Sequence, residues 1–569
     1  MWETLVTLYY GYTGFATLGS NHTENEITNC TFFKNGGAYN GVIFLYYGKI
    51  TVTNSTFIGN RGSVSATDIH SWGGTAYIKN CIFAQKASGG SASLVAGNGG
   101  TFVDGGYNII ETQSGAGFVN EVNGNLVGVQ ANLNISTTLA DNGSAVGTTT
   151  LALLTGSVAI NAGNGTAHNG IAIPAADQRG YLRYGTVDIG AYEYDGIAPA
   201  TTWTGADAVS PTDWSDADNW SNGVPTTGYQ VSIPDALDEY PEIDGVYTAS
   251  NPATCTNLTI ADAASVTINP GKALTVSGTL TVNNDYGLFI LADETGHASL
   301  IHNTNDVPAI IEMYYTGSAN LGDDKYHLVS IPANVANPTS SIFDGFYLYE
   351  LDPTAQNAGN NNYYGIWNPL GTATTTALSL DKGYMVYYPG ESTYITHIEP
   401  LHNGDFSCAV TGHAGTYTFN LVPNPYPSPV NWGEADGWTK SAGIGGTCYV
   451  WGSNEGNYEY IPISGASGII PVGQAFIISV YDEASPTLTV KNAARTHSSQ
   501  AFYKSTQANN NQLIVKAVAN NYSDVSRVAF NNEATDGFDL QTDGFKMFGI
   551  EKAPQLYTLS GNEKYSINN

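Results

Sequence analysis

Short apolar stretches rich in Val, Ile, Thr, Tyr and Phe recur along this chain, separated by Gly, Asn, Asp and Pro. Apolar residues at helical spacing are hard to find over any length. The pattern predicts many short strands joined by turns. Its most regular part is a repeat. ITNCTFFKN from Ile27, VTNSTFIGN from Val52 and IKNCIFAQK from Ile78 start 25 and 26 residues apart. Asn29, Asn54 and Asn80 form one column, and Phe32, Phe57 and Phe83 another. Cys30, Ser55 and Cys81 stand between them. A weaker fourth match, GGYNIIE, sets Asn108 28 residues after Asn80.

A parallel β-helix explains these columns, because successive coils climb ~4.8 Å and like residues stack on like. The asparagines then form a hydrogen-bonded ladder at a turn and the phenylalanines an interior stack. A ligand-binding role for the same asparagines is the alternative. Two coils separate Cys30 from Cys81 by roughly 9–10 Å, beyond the ~7 Å limit for a disulfide.

A shorter period follows: LTI at Leu258, VTI at Val266, LTV at Leu274 and LTV at Leu280, spaced 8, 8 and 6. It reads as a small β-solenoid or as one sheet of a sandwich. Beyond it, strands alternate with aromatic-rich turns. Pro423, Pro425, Pro427 and Pro429 fix an extended path between two of the strands. The expected fold is all-β: a right-handed parallel β-helix, a small solenoid or sandwich module, and C-terminal β-sandwich domains. A chain of 569 residues exceeds one core. The expected parts are a β-helix with a cap over 1–194, a linker over 195–202 and a Trp-rich module with short repeats over 203–307. A β-rich domain over 308–495 and a truncated sandwich over 496–569 follow.

Composition narrows the function. Net charge is −30 and only 12% of residues are charged. So acidic a chain repels nucleic-acid backbones and anionic membranes, which excludes nucleic-acid partners. No apolar run approaches the ~20 residues of a membrane span. The five cysteines are sparse and lack metal-ligand spacing. Buried or half-buried free thiols are the expectation, with pairing of Cys408 and Cys448 the alternative. The start, MWETLVTLYYGYTG, is not built like a signal peptide, although the remainder has the composition of an exported protein. The expectation is a fragment of a longer chain.

Candidate chemistry is thin. Asp213, Asp216 and Asp218, and again Asp536, Asp539 and Asp543, offer oxygen ligands for Ca²⁺, but turn formation explains both clusters more simply. No other cofactor is expected. Asp68 and His70 are one alternation apart on a strand, while Lys34, Arg61 and Lys79 are scattered. A polysaccharide lyase or glycoside hydrolase would need a base or paired carboxylates on neighbouring coils. That reading remains the alternative, with its site on the β-helix or in coils upstream of this sequence. No GxSxG, HExxH or GxxxxGK[ST] supports a protease or an NTP-using enzyme.

Two resemblances give direction. SVAINAGN (157–164) followed by AADQRGYLRYGTVDIGAYEY (175–194) resembles the closing segment of the choice-of-anchor Q family, exported bacterial β-helix proteins. The matching residues are Asp177, Arg179, Gly180, Arg183, Asp188, Gly190 and Glu193; Asn161 stands where that family usually has Asp. Alternating Asp and Arg suggest an ion-paired cap over the last coil. Trp203, Trp214 and Trp220, with Asn222, Gly223 and Pro225, are similar to a module of secreted Bacteroidota proteins. NPYPSPVNW (424–432) and the segment from Gln512 resemble regions that precede the sorting domain of type IX secretion substrates. These resemblances imply a non-catalytic, adhesin-like or glycan-contacting protein outside the cell or on its outer surface. Its partners would be extracellular glycans or a host or matrix surface, with export through a C-terminal signal missing from this sequence.

Overall fold

The computed structural model describes residues 15–18, 24–37, 41–62, 66–85, 92–144, 147–318, 325–355, 365–371, 375–461, 468–498, 512–530, 535, 537–561 and 563–568. The N-terminal MWETLVTLYYGYTG and Asp536 lie outside them. The chain divides into two compact units between Ala200 and Thr201, with Thr226–Gln230 assigned to the first.

The first unit is a parallel β-helix whose described residues form three long sheets and a short parallel pair, Gly36–Gly37 with Arg61–Gly62. One sheet holds Phe15–Leu18, Ile43–Tyr46, Ala66–Trp72, Ala92–Gly97 and Gln113–Ser114. A second holds Glu24–Thr28, Lys49–Thr53, Thr75–Lys79 and Thr101–Asp104. The third holds Thr31–Phe33, Thr56–Ile58, Ile82–Ala84, Ile109–Ile110 and Leu126–Val127. Ile27 pairs with Val52 and Val52 with Ile78. Phe32 pairs with Phe57 and Phe57 with Phe83. Their rings stack at 4.4 and 4.8 Å inside the helix, among Ile43, Leu45, Ile69 and Leu94.

The fourth coil corrects the sequence alignment by one place. Ile109 pairs with Ile82, so Asn108 falls in the column of Cys30, Ser55 and Cys81. The side chains of that column carry a hydrogen-bonded ladder. Cys30 N–H donates to Ser55 Oγ at 3.2 Å, Cys81 N–H to Asn108 Oδ1 at 3.0 Å, and Asn108 N–H to Asn125 Oδ1 at 3.0 Å. The column of Asn29, Asn54 and Asn80 sits in the left-handed region, at φ 53, 45 and 52°, where the chain turns the corner. Asparagine tolerates that conformation better than most residues.

Residues 129–199 do not form a cap on the last coil. They lie along the side of the solenoid. Leu133, Ile135, Leu151, Leu153, Ala159 and Ile189 share one core with Ile58, Ile82, Ala84 and Ile109 on the outer face of the third sheet. A sheet with apolar residues on both faces needs such a cover.

The second unit begins with another solenoid, which resolves the choice between solenoid and sandwich. Leu258 pairs in parallel with Leu280, 22 residues on, and Val266 pairs with Leu288. Leu274 pairs with Leu300 on a third sheet. The spacings of 8, 8 and 6 are therefore steps around the faces of one coil, not a short stacking period. Val307–Tyr315 ends the parallel stack and pairs antiparallel with Thr393–Leu401. Antiparallel sheets follow, consistent with β-sandwich modules. The sheet of Tyr417–Pro423, Ala475–Tyr481, Ile444–Gly452 and Asn457–Ile461 is buried on both faces. Val422, Phe476 and Ile478 enter one core, and Phe419, Leu421 and Ile477 the other, which also takes Phe545, Met547, Tyr565 and Ile567. At the proline-rich turn, Asn424 Nδ2 donates to Ser428 O and Pro471 O, each at 2.9 Å. None of the five cysteines is in a disulfide.

Candidate functional site

Strand alternation turns Ile43, Leu45 and Ile69 inward on the first sheet and Phe44, Tyr46, His70 and Trp72 outward. Phe44 pairs with His70, and His70 with Val95. The outer face thus carries a run of rings: Tyr46–Tyr47 at 4.8 Å, Tyr46–Phe44 at 5.9 Å, Phe44–His70 at 5.3 Å and His70–Trp72 at 5.5 Å. Tyr46, Tyr47 and Trp72 are 41, 39 and 37% exposed.

Glycines on the adjoining coil make this arrangement fit. A β-carbon at Gly73 would come within 2.6 Å of the Tyr47 ring. One at Gly97 would come within 2.9 Å of the Trp72 ring and 3.0 Å of His70 Nε2. Tyr47 and Trp72 therefore lie against bare backbone. Tyr47 itself sits at φ 61°, its N–H bonded to Trp72 O at 3.0 Å. The result is a shelf of half-exposed rings on a rigid sheet. His70 is packed between Phe44 and Trp72, and burial lowers its pKa.

Asp68 has different partners from His70. Its Oδ1 accepts from Asn60 Nδ2 at 2.8 Å, and its Oδ2 from Thr67 Oγ1 at 3.2 Å. Asn60 Oδ1 in turn accepts from Asn35 N–H. Burial pushes the Asp68 carboxyl up to about 7. A carboxyl poised near neutrality suits proton transfer, but at 1% exposure this one is enclosed in a corner of the coil.

The residues that segment 177–193 contributes converge beside the third sheet. Arg179 is paired with Asp177 at 2.8 Å and Arg183 with Glu193 at 2.7 Å, all four side chains buried. The Arg179 guanidinium lies between Tyr181 and Tyr192, 4.2 and 3.7 Å from their centroids. Glu193 N–H donates to Asp177 Oδ2 at 2.9 Å, and Asp188 N–H to Glu193 Oε2 at 3.0 Å. Burial raises the Asp188 carboxyl to about 6.

This cluster meets the asparagine column directly. Asn29 Nδ2 donates to Ala176 O at 2.7 Å, and its Oδ1 accepts from Arg183 Nη2 at 3.0 Å. Asn80 exchanges hydrogen bonds of 3.0 and 2.8 Å with the backbone of Asn164. Asn54 lies between them, with Asn80 Nδ2 3.5 Å from its Oδ1. The column is therefore chiefly a docking edge for the lateral segment, and the ladder runs one residue later. Gly190 sits at the contact: its N–H bonds Asn80 O at 2.8 Å, and a β-carbon there would strike Thr56 Oγ1 at 2.7 Å. Gly180 closes the turn between the paired Asp177 and Arg179, its N–H on Asp177 O.

The basic residues separate. Lys34 and Arg61 line one groove, whereas Lys79 Nζ is held by Asn164 Oδ1 at 3.0 Å and Thr166 Oγ1 at 2.7 Å. The acidic clusters resolve as turns. Asp213 Oδ1 takes Ser215 N–H and Oγ–H, Asp216 Oδ1 takes Asp218 N–H, and Asp543 Oδ2 takes Asp539 N–H. Among the described residues no group of three or more His, Cys, Asp or Glu is arranged to hold a metal ion. No helix among them is long and apolar enough to cross a membrane.

A family model described as a domain of unknown function (DUF8693) matches residues 202–463. No curated protein and no solved structure matches the chain.

Proposed function

We propose that this chain is a non-catalytic, exported scaffold of adhesin-like build whose β-helix holds extracellular glycans against the shelf of Tyr46, Tyr47 and Trp72. The observation that carries the reading is the pair of rings laid over Gly73 and Gly97. Rings half-exposed on a rigid sheet present flat apolar faces of the kind that stack on sugar rings. Export to the outer surface or the medium is supported by the likeness of 157–194 to the choice-of-anchor Q closing segment. The likeness of 424–432 and of the segment from Gln512 to type IX secretion substrates of Bacteroidota points the same way. The partner surface would be a host or matrix glycan.

The test is retention on immobilised polysaccharides, compared between the unmodified chain and its Trp72→Ala and Tyr47→Ala variants. Each variant is expected to weaken binding by about tenfold, the equivalent of one lost stacking contact. Equal binding by all three proteins would remove the shelf from the reading. Release of reducing ends or unsaturated products from pectin, alginate or chondroitin would replace it with a hydrolase or lyase.

A further inference from the structure

We infer that the groove containing Lys34 and Arg61 is a second subsite, one that takes the carboxylate or sulfate of an acidic sugar. For the sugar this rests on the glycan-contacting reading; for the charge it rests on the groove alone. The groove encloses about 440 Å³ and is lined by Phe33, Lys34, Ile58, Gly59, Arg61, Gln85 and Thr137. It lies where the third-sheet strands end and the lateral segment, through Thr137, forms the facing wall.

Stacking of the coils builds it. Phe33, Ile58 and Ala84 are in register, so Lys34, Gly59 and Gln85 follow as one column. Lys34 N–H bonds Ile58 O at 3.0 Å and Gly59 N–H bonds Ala84 O at 3.2 Å. The side-chain stems of both cations lie over glycine. A β-carbon on Gly59 would meet Lys34 Cγ at 3.3 Å, and one on Gly36 would meet Arg61 Cγ at 3.3 Å. Gly36 and Arg61 are themselves paired in register.

The chemistry of the lining is one-sided. It offers an ammonium, a guanidinium, an amide and a hydroxyl beside the partly buried ring of Phe33. Among the described residues no carboxylate lines it, in a chain with 49 Asp and Glu against 19 Lys and Arg. A guanidinium fork beside a point-like ammonium matches a planar or tetrahedral oxyanion. The Phe33 ring, with Lys34 Nζ 4.6 Å from its centroid, sets an apolar surface next to the charge, which suits the C–H face of an acidic sugar and distinguishes the expected ligand from a free inorganic anion.

Calorimetric titration of the full chain with oligogalacturonate, a neutral cello-oligosaccharide and sodium sulfate tests this. Two altered proteins are compared: Lys34→Gln with Arg61→Gln, and Thr137→Glu, which adds a carboxylate to the facing wall without touching either cation. Oligogalacturonate is expected to bind, to weaken at least about tenfold in both altered proteins, and to weaken as salt is raised. No oligogalacturonate binding, or binding indifferent to all three substitutions, overturns the subsite. Sulfate binding without oligogalacturonate binding overturns the sugar class. Neutral oligosaccharide binding that depends on Trp72 would persist in either of those cases and leave the shelf reading intact. Groove-dependent oligogalacturonate binding that survives Trp72→Ala would uphold the subsite and sink the shelf.

Discussion

Replacing Asp68 with Asn tests whether this carboxyl is a structural acid held neutral by burial. In the folded chain its pKa is raised from the ordinary 3.8 to about 7, with desolvation the largest cause. Between those values the folded chain keeps the proton while the unfolded chain releases it. The group's stabilising contribution is therefore complete below about pH 4 and is lost as the pH rises to 7. At 1.36 kcal/mol per pH unit the loss amounts to roughly 4 kcal/mol, an upper bound. An asparagine of the same shape removes the charge and keeps an acceptor for Asn60 Nδ2. Its own amide then faces the Thr67 hydroxyl, which can accept. At pH 8 the variant should be more stable by roughly 2–4 kcal/mol, and its stability should not fall between pH 4 and 7. Hydrogen exchange read on peptides from 66–85 and 92–97 of the full chain isolates this corner from the second unit. A variant less stable than the parent at pH 8, or one that keeps the parent's slope, would refute the reasoning.

Three further outcomes are expected. Phe57→Ala, at the centre of the ring stack, should cost about 3–5 kcal/mol, and Phe32→Ala, at its edge with one stacked neighbour, less by about 1 kcal/mol; hydrogen exchange over the first unit compares them. Arg179→Met should destabilise the lateral segment by about 3–5 kcal/mol, because Asp177 is left buried without its cation; earlier proteolytic cleavage within 129–199 would report it. The second unit should lose stability on acidification from pH 6.5 to 4. Burial lowers His297, His302, His327, His397 and His497 to about 4, so the unfolded chain binds protons in that window and the folded chain does not. Each contributes up to roughly 3 kcal/mol, and the tryptophan fluorescence midpoint in denaturant at pH 7.5 and 4.5 reads the sum.

The first solenoid was legible because its coils differ little in length, so Phe32, Phe57 and Phe83 recur at an almost fixed interval. The second was half legible. LTI, VTI and LTV serve different faces of one coil with nearly the same residues, and that likeness disguises the 22-residue step from Leu258 to Leu280. Asn108 was misplaced because an asparagine attracts alignment to asparagines, whereas Ile109 under Ile82 sets the register. The lateral position of 129–199 does have a signal in the sequence. TFF, TFI and IFA carry apolar residues on both faces of a short strand, which requires cover on the outer side. The mutual pairing of Asp177, Arg179, Arg183 and Glu193 is tertiary, and no local periodicity encodes it.

The same reasoning bears on which face of the first unit is available. The third sheet's outer face is occupied by Leu133, Ile135, Leu151 and Leu153. The second sheet's outer side is engaged in part, through Asn169 on Thr51 and His168 against Tyr77. The first sheet keeps large aromatic residues outward and exposed. Structural rings gain their stability from burial, and Tyr46, Tyr47 and Trp72 forgo much of it. Their support consists of glycines that hold the rings against the sheet, so the arrangement fixes orientation rather than maximising buried area. Fixed orientation without burial is what the proposed glycan-contacting role requires of that face. The Lys34–Arg61 groove opens on a different corner of the coils. A glycan engaging both would have to wrap the solenoid, so shelf and groove should bind short oligosaccharides independently. Additive losses in a combined Trp72→Ala, Arg61→Gln variant would show that independence.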